Sequence, residues 1–375
     1  MKDVFDVSLS DSQATVVSPI TPARFDFEKY KAYEQELSAR CEKFWKAESG
    51  VLVYRRMRVK EVFSAECSNM QNSLCLQLGA LNKSMEYMAD IPNFLEPWYG
   101  LGTIASAFGF GYVWNKGQAP AVSGHFSSVK EMLESGILPV KDTTIGRHTL
   151  DMIDFFLSTT KGQLPVSFSD VQSPLNIVAN IVDSNQFYMD LLLEPDLARD
   201  AFNVVADLFV DYMRIQKDMI GNALAKPGHG FASSRWFDGI GMSDDNAVMI
   251  SNEMYNELAA PPFIKSTIPF GGGAFHSCGN WSGLKRDIVK MKGMCMSDGA
   301  FSKATDPGAN DTTGFADTFA GTGIVLNARI VGSNDLVEQK VKELWKPGMK
   351  LIVVTYCDDP NQQKEIYTKI HEICQ

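Results

Sequence analysis

The sequence predicts an α/β protein folded as a (β/α)8 TIM barrel with a helical N-terminal extension. From about Gln163 onward, short apolar runs alternate with longer stretches of helical periodicity, which is typical of βαβ units around a parallel sheet. A chain of 375 residues is long enough for one such barrel. The alternative, a doubly wound open sheet, is disfavoured because no G-x-G-x-x-G turn follows any of the apolar runs.

The N-terminal part is predicted to be helical. Residues 25–49 form a charged amphipathic stretch, and residues 59–88 contain another with apolar residues at helical spacing and no proline. We therefore assign residues 1–90 to the helical extension and residues 91–375 to the barrel. Residues 90–124 are rich in glycine, proline and aromatic residues, as expected of a segment that passes over a binding site.

Six strand–helix units fit after Gln163, and a ring of eight is the natural closure. Each unit pairs an apolar run with a helical stretch, except that the fourth run is followed by a short polar segment. The six runs, in chain order, are LPVSFSD, GHGFASS, GGAFHSCG, MCMSDGAF, GIVLNARIV and LIVVTYC.

Composition excludes several classes of function. The net charge of −10 disfavours nucleic acid and anionic membranes as partners. No segment approaches the roughly 18 apolar residues that span a bilayer, and the first residues lack the apolar region of a signal peptide. Seven scattered cysteines indicate a reducing compartment, so we expect a cytoplasmic protein.

Reactive side chains follow several predicted strands, where the active site of a barrel is built. Asp170 and Asp298 are candidates for orienting substrate or for proton transfer, and Arg235 and Arg329 also stand at predicted strand ends. The isolated His229 is interpreted as a surface residue or as one that supports the site from outside.

His276 and Cys278 are two residues apart on a predicted strand and therefore face the same side of it. Imidazole and thiolate together suit Zn²⁺, which takes tetrahedral nitrogen and sulfur ligands. The third ligand should come from another strand, either Cys295 or Cys357. Cys295 starts its strand, whereas Cys357 ends the last one and could reach across the mouth of a closed barrel, so Cys357 is favoured.

This arrangement, H-x-C after one strand and a cysteine three units later, resembles the zinc-binding pattern of the corrinoid-dependent methyltransferases of the uroporphyrinogen decarboxylase superfamily. These include methylcobalamin:coenzyme M methyltransferases and the O-demethylase methyltransferases of anaerobes. The resemblance runs from about Leu164 to the C-terminus: LPVSFSDVQSPLNIVANI is similar to the third-strand region, and the segment from CDDP onward to the closing unit. The first 90 residues match poorly.

The resemblance implies a methyltransferase that uses zinc bound by His276, Cys278 and Cys357, and a corrinoid carried by a separate protein. A methyl group would move between a small molecule and the cobalt of that protein. Aromatic residues near the predicted mouth, among them Trp98, Tyr99 and Trp236, favour an apolar methyl donor such as a methoxyaromatic compound or another methyl ether or amine.

Other functions remain open at this point. A methyl-corrinoid:thiol transferase of the coenzyme M type would need a cation for a sulfonate, and Arg235 or Arg329 could supply it. The metal-free decarboxylases of the superfamily carry R-Q-A-G-R and N-L-G-H-G motifs, neither of which occurs here. A non-catalytic barrel that binds a tetrapyrrole or corrinoid would need no zinc. A serine hydrolase is disfavoured because the sequence has no G-x-S-x-G motif at a strand–helix turn.

Overall fold

The computed structural model describes residues 12–115 and 118–375. Its strands are β1 (Gly50–Arg55), β2 (Tyr112–Val113), β3 (Ala121–Val122), β4 (Val166–Ser167), β5 (Leu224–Ala225), β6 (Ile240–Ser243), β7 (Gly273–His276), β8 (Met294–Ala300), β9 (Val325–Arg329) and β10 (Lys350–Thr355).

The long helices cover the sheet, and several begin at a side-chain cap such as Asp26, Ser173, Asp183 or Ser333. In chain order the α-helices are α1 (Phe27–Lys46), α2 (Met70–Ser84), α3 (Val129–Glu134), α4 (Thr144–Thr160), α5 (Pro174–Ile181), α6 (Ser184–Leu193), α7 (Pro195–Ile220), α8 (Asn252–Met254), α9 (Ala260–Thr267), α10 (Lys285–Ile288), α11 (Phe315–Phe319), α12 (Asn334–Leu344) and α13 (Pro360–Ile373). A π-helical turn, Tyr255–Ala259, joins α8 to α9.

The main sheet has six strands in the order β1-β10-β9-β8-β7-β6, and every neighbouring pair is parallel. The predicted α/β class and the parallel pairing are therefore confirmed. The runs around β7, β8, β9 and β10 lie where the alternation of apolar and helical segments predicts strands. Parallel pairing aligns the carboxyl ends of these strands along one edge.

Among the described residues the sheet does not close into a regular hydrogen-bonded barrel. Beyond β1 and β6 the strands shorten: β4 and β5 pair in parallel over two residues. They connect to their neighbours through isolated bridges, Leu95 to Val166 and Gln172 to Ser243. In place of the eight-stranded ring expected from the sequence, the described residues form a six-stranded sheet with short parallel contacts beyond its two edges.

Side chains alternate between two hydrophobic layers. An inner cluster contains alternate residues of the sheet, including Tyr54, Ala274, Met296 and Val354, and an outer cluster contains their neighbours, such as Val353, together with the helices. This period-two alternation is what a strand imposes. It decides which polar residues at the carboxyl edge face the inside.

Helix α1 covers the opposite, amino-terminal edge. Its Cys41 and Phe44 belong to the inner cluster, and the ring of Trp45 stacks on Phe237 with centroids 4.6 Å apart. Arg235 anchors this helix: its Nε donates to Glu34 at 2.7 Å, and its Nη1 and Nη2 atoms donate to the carbonyls of Asn222 and Gln163.

Two sequence expectations about elements differ from the structure. Residues 1–90 contain a strand, β1, that pairs with β10, so the division at residue 90 does not coincide with the edge of the sheet. The run GHGFASS is not a strand; it forms a turn after β5, and Arg235, Trp236 and Asp238 precede β6 rather than follow a strand. Strand β6 was not predicted from the sequence, because its glycine and methionine do not give a pattern typical of a strand.

No helix within the described ranges is both long enough and apolar enough to cross a membrane.

Candidate metal centre and adjoining cavity

Three side chains that can ligate a metal converge at the carboxyl edge of the sheet. His276 Nε2 lies 3.5 Å from Cys278 Sγ and 3.7 Å from Asp245 Oδ1, and the ligand atoms of all three lie within 4.8 Å of one another. Within residues 12–115 and 118–375 this is the one cluster of three or more His, Cys, Asp or Glu side chains with such spacing. His276 and Cys278 were predicted as ligands; Asp245 was not.

The ligands are fixed by local backbone structure. His276 is the last residue of β7 and has the inward parity of Ala274. The chain then turns at Gly279, whose φ of +74° is easily adopted only by glycine. Cys278 N donates to Asp245 Oδ1 at 2.6 Å, so the β6 and β7 loops are joined at the ligands themselves.

The loop that carries Asp245 is anchored from beneath by its neighbour Asp244. The fully buried Asp244 carboxyl accepts hydrogen bonds from Ser173 Oγ at 2.5 Å and from Tyr255 OH at 2.8 Å. Burial raises the pKa of Asp244 to about 7, although both hydrogen bonds act in the opposite direction. Tyr255 lies on the π-helical turn, a feature that is frequent near functional sites.

Asp298, at the carboxyl half of β8, orients His276. Its Oδ2 lies 2.5 Å from His276 Nδ1, and it also accepts hydrogen bonds from Arg329 Nε at 2.9 Å and from Asn327 Nδ2 at 2.5 Å. Burial alone would raise the pKa of Asp298, but Arg329 and His276 outweigh it and lower the pKa. An ionised carboxylate only accepts hydrogen bonds, so Nδ1 carries the proton and Nε2 faces Cys278 and Asp245.

This pairing also affects the basicity of the imidazole. Burial lowers the pKa of His276, but the hydrogen bonds with Asp298 and Cys278 outweigh burial and raise the pKa to about 10. A carboxylate hydrogen-bonded to one nitrogen of a metal-binding histidine fixes the ring orientation and makes the other nitrogen a stronger electron-pair donor to the metal. Asp298 thus has the position of a supporting group for a metal ligand.

The spacing of the ligand atoms fits zinc. Zinc–nitrogen bonds of about 2.0 Å and zinc–sulfur bonds of about 2.3 Å at tetrahedral angles separate ligand atoms by roughly 3.3–3.6 Å. The distances of 3.5 and 3.7 Å from His276 Nε2 fall close to that range. Cys278 is exposed and Asp245 only half-buried, so the group is open to a further ligand on the cavity side.

Cys357 is not a member of this group. It follows β10 with the parity of Val353, whose side chain belongs to the outer cluster, and its Sγ lies 3.7 Å from Asn334 Oδ1 on α12. The neighbouring Tyr356 has the inward parity and packs in the inner cluster. That Cys357 serves a metal stays a prediction; in this structure Asp245, not Cys357, lies with His276 and Cys278.

A cavity of about 330 Å³ opens beside these ligands. Its lining includes His276, Cys278, Asp298 and Arg329, together with Trp98, Asp170 and His229. The predicted residues Asp170, Asp298, Trp98 and Arg329 therefore share one cavity with the metal ligands. Tyr99 instead stacks on His148 with centroids 3.7 Å apart, Trp236 is exposed, and Arg235 anchors α1 at the opposite edge.

The same cavity is also lined by a histidine that lies between two carboxylates. His229 Nδ1 lies 2.8 Å from Glu96 Oε1, and its Nε2 lies 3.3 Å from Asp170 Oδ2. Trp98 Nε1 donates to the same Asp170 oxygen at 2.9 Å. The sequence interpretation of His229 as isolated missed this cluster, because Glu96 and Asp170 are distant in the chain.

Arg56 and Arg58 were likewise not among the cavity residues predicted from the sequence. They follow β1, and alternation along that strand directs both toward the cavity, which they line. Arg56 Nη1 donates to Gly230 O at 3.2 Å, and its Nη2 lies 3.6 Å from Glu96 Oε1. Recognising Gly50–Arg55 as a strand would have placed these two residues at the carboxyl edge.

Replacing Glu96 by glutamine should flatten the acid dependence of stability. Burial raises the pKa of Glu96, but His229 and Arg56 outweigh it and lower the pKa from 4.5 to about 2. A depressed pKa contributes stability above about pH 4.5 that is lost as the pH falls toward 2, on the order of 3 kcal/mol in all. Urea unfolding at about pH 7 and about pH 3.5 measures the part of this loss that has occurred by pH 3.5, about 1.4 kcal/mol.

The matched control for this prediction is Asp218→Asn on the exposed face of α7. The Glu96→Gln protein should lose less stability between the two pH values than either the wild type or the control. Equal losses in all three proteins would show that Glu96 does not carry the acid dependence.

Comparisons with known proteins show the fold. No protein-family model matches the chain, and no curated protein matches it. Among solved structures, a methyltransferase from Methanosarcina mazei superposes with a TM-score of 0.59 at 15% sequence identity, over 90% of this chain and 98% of that one. About 90% of this chain is therefore similar in fold to that protein.

Proposed function

We propose that this chain is a zinc-dependent methyltransferase of the uroporphyrinogen decarboxylase superfamily, with an eight-unit barrel. It would move a methyl group between a small molecule and the cobalt of a corrinoid carried by a separate protein. The observation that carries the proposal is the open group of His276, Cys278 and Asp245 on a cavity wall, with His276 held by Asp298. The structural likeness to a methyltransferase is consistent with it.

In this proposal zinc would be held by His276, Cys278 and Asp245, and it would act as a Lewis acid on the heteroatom that carries or accepts the methyl group. Asp298 orients His276 through Nδ1 and keeps its other nitrogen directed at the site. Asp170 and His229 line the same cavity, where the histidine, 3.3 Å from the Asp170 carboxylate, could give or take the proton of that heteroatom. Phe231 and Trp98 supply apolar wall and exclude water.

Two directions of transfer fit these residues. With a methyl ether or amine as donor, the methyl carbon would bond to cobalt(I) of the corrinoid protein as the carbon–heteroatom bond breaks; the electron pair of the broken bond stays on the heteroatom, which takes a proton from His229. With a thiol as acceptor, the thiol would give its proton to His229, and the sulfur would bond to the methyl carbon as the cobalt–carbon bond of the methylated corrinoid protein breaks and leaves its electron pair on cobalt. The thiol alternative is favoured by one observation, the cationic Arg329 lining the cavity beside Cys278.

Metal content of purified variants tests the zinc site. We expect near-stoichiometric zinc in the wild type and its loss in Cys278→Ala and Asp245→Ala, because removing one of three ligands leaves too few to hold the ion. Cys357→Ala should retain zinc, since its thiol faces α12. Elemental analysis by mass spectrometry measures all four proteins.

The outcome for Cys357 separates the two ligand sets. Loss of zinc in Cys357→Ala with retention in Asp245→Ala would replace Asp245 by the cysteine predicted from the sequence. A wild type without zinc, or full zinc in both Cys278→Ala and Cys357→Ala, would refute the zinc-dependent reaction. A non-catalytic corrinoid-binding barrel predicts a wild type without zinc.

Methyl transfer itself is tested with a corrinoid protein. Reduced corrinoid protein incubated with methoxyarenes, and methylated corrinoid protein incubated with thiols, change the cobalt absorption spectrum when a methyl group moves. We expect a change in one of the two reactions with the wild type and none with Cys278→Ala. No change in either reaction over a broad panel would contradict the proposed transfer.

A further inference from the structure

The loop after β7, which carries Cys278, is held by carboxylates from the loops on both sides of it. Cys278 N donates to Asp245 Oδ1 at 2.6 Å, and the next amide, Gly279 N, donates to Asp306 Oδ2 at 2.9 Å. Asp306 belongs to the loop that follows β8, residues 301–314, and β7 lies between β6 and β8 in the sheet. Two consecutive amides are therefore bonded to carboxylates from two different loops.

The thiol of Cys278 depends on these backbone bonds for its position. Cys278 is exposed and lies two residues beyond the end of β7, so packing and the sheet contribute little to fixing it. Its Sγ nevertheless lies 3.5 Å from His276 Nε2. The carbonyl of Cys278 accepts from Ser277 Oγ at 3.0 Å, so the peptide groups on both sides of its Cα are held. The backbone of residues 277–279 thus sets where the thiol lies.

The loops after β7 and β8 pack directly against each other. A Cβ added to Gly308 would lie 3.1 Å from Gly279 Cα, which is tighter than most Cβ contacts. A second hydrogen bond joins the loops farther along the chain, where Trp281 N donates to Asn310 Oδ1 at 2.9 Å. Asp306 therefore holds Gly279 as part of a contact that leaves almost no room for a methyl group.

The loop after β8 is itself fixed, so Asp306 is a well-placed acceptor. Asp306 N donates to Ser302 O at 3.1 Å. The hydroxyls of the buried Ser302 and Thr305 lie 2.7 Å apart, and Val331 N, just after β9, donates to both, at 3.0 and 2.9 Å. The position of Asp306 is consequently set by the end of β9 as well as by its own loop.

We infer that Asp306 is a positioning residue for the metal centre: its hydrogen bond from Gly279 N keeps the thiol of Cys278 beside His276 Nε2. The inference rests on the proposed function for the zinc ion itself. Asp306 acts through the backbone of a ligand, and His276, Cys278 and Asp245 remain the proposed ligands. Groups that support metal ligands contribute roughly 10–100-fold to metal affinity, and an indirect contact through the backbone should lie near the lower end.

Asp311, in the same loop, provides a matched control. Its exposed carboxylate accepts from Thr313 N at 2.7 Å, just as Asp306 Oδ1 accepts from Gly308 N at 2.7 Å. Both aspartates thus stabilise a local turn, and the bond to Gly279 is what distinguishes Asp306. Replacing either by alanine should lower the urea midpoint of unfolding by a similar, small amount, whereas metal affinity should fall in Asp306→Ala alone.

Titration of the metal-free protein with Co²⁺ tests this inference. Co²⁺ takes the same nitrogen and sulfur ligands as Zn²⁺ but binds them more weakly, and a bound thiolate gives a charge-transfer absorption in the near ultraviolet. We expect the dissociation constant to rise roughly 10-fold in Asp306→Ala and to stay at the wild-type value in Asp311→Ala. Asp306→Asn keeps an oxygen for Gly279 N and should lie within about 3-fold of the wild type.

Amide exchange without metal measures the hydrogen bond itself. The peptide that contains Gly279 should exchange faster in Asp306→Ala than in the wild type or in Asp311→Ala. Unchanged exchange, equal Co²⁺ affinity in the two alanine variants, or no Co²⁺ binding by the wild type would overturn the inference. An affinity of Asp306→Asn as low as that of Asp306→Ala would assign the effect to negative charge instead of to the hydrogen bond, and would overturn it as well.

These results separate the two proposals. Methyl transfer by the wild type, with the same Co²⁺ affinity in Asp306→Ala as in Asp311→Ala, would keep the proposed function and refute the role of Asp306. A selective loss of Co²⁺ affinity in Asp306→Ala, in a protein that transfers no methyl group, would do the reverse.

Discussion

Asp298→Ala is expected to destabilise the fold by about 3–5 kcal/mol and to lower metal affinity by roughly 10–100-fold. The buried guanidinium of Arg329 would lose its carboxylate, and a buried charge without its partner is among the most costly single defects. His276 would at the same time lose the hydrogen bond that fixes its ring. Urea unfolding measures the first effect, and a competition titration with a zinc chelator measures the second.

Asp298→Asn separates the two effects. An amide keeps the volume and can still accept from Arg329, so it should recover part of the stability while metal affinity stays low, because the negative charge behind His276 is gone. Asp218→Ala on the exposed surface of α7 is the control and should change neither quantity by more than about 0.5 kcal/mol. Wild-type zinc affinity in both Asp298 variants would remove Asp298 from the metal centre.

Asp90→Ala is the second large effect, expected at about 3–5 kcal/mol of unfolding free energy. Asp90 is 1% exposed. Its carboxylate accepts hydrogen bonds from Val53 N at 2.8 Å, Arg40 Nη1 at 3.1 Å and Tyr367 OH at 2.7 Å. His371 Nε2 lies 2.9 Å from it. One side chain therefore ties β1, α1 and α13 together, and its removal leaves several donors unsatisfied.

The pH dependence of this contribution follows from the Asp90 pKa. Burial raises the pKa, but hydrogen bonds from His371 and Tyr367 outweigh it and lower the pKa below 3.8. The stabilisation is therefore present above about pH 4 and declines as the pH falls further. Urea unfolding of Asp90→Ala, with Tyr367→Phe as a milder variant of the same network, gives the size. A loss under about 1 kcal/mol for Asp90→Ala would show that the network is not a major stabilising contact.

The fold class was predictable because apolar runs and helical periodicity are local properties. The runs around β7 to β10 are rich in apolar residues, and the structure has strands there. Strand β6, with the sequence IGMS, is too short and too rich in glycine to show that pattern. Strand β1 lies between two stretches of helical periodicity and was therefore not predicted as a strand. The isolated bridges beyond the edges of the six-stranded sheet are long-range contacts that no local sequence pattern predicts.

The proximity of His276 and Cys278 was predictable because the two residues lie close together along the chain, at the end of β7 and in the loop after it. His276 and Cys278 needed only the two-residue spacing. Cys357 was chosen by assuming that the end of β10 faces inward, but the inner cluster contains Val354 and Tyr356, so the alternation gives Cys357 the outward parity. Asp245 and His229 depend on how separate loops meet, which is a tertiary property; the acidic pair after GIGMS was the available signal for Asp245.

Helix α1 covers the amino edge of the sheet and is anchored there by Arg235, which limits the routes by which a compound can reach the cavity. With that side covered by Phe44 and Trp45, a compound reaches the cavity from the carboxyl edge of the sheet. Under the proposed function, a corrinoid protein would have to approach the cavity by the same edge. The small molecule would then bind before that protein and leave only after it has dissociated.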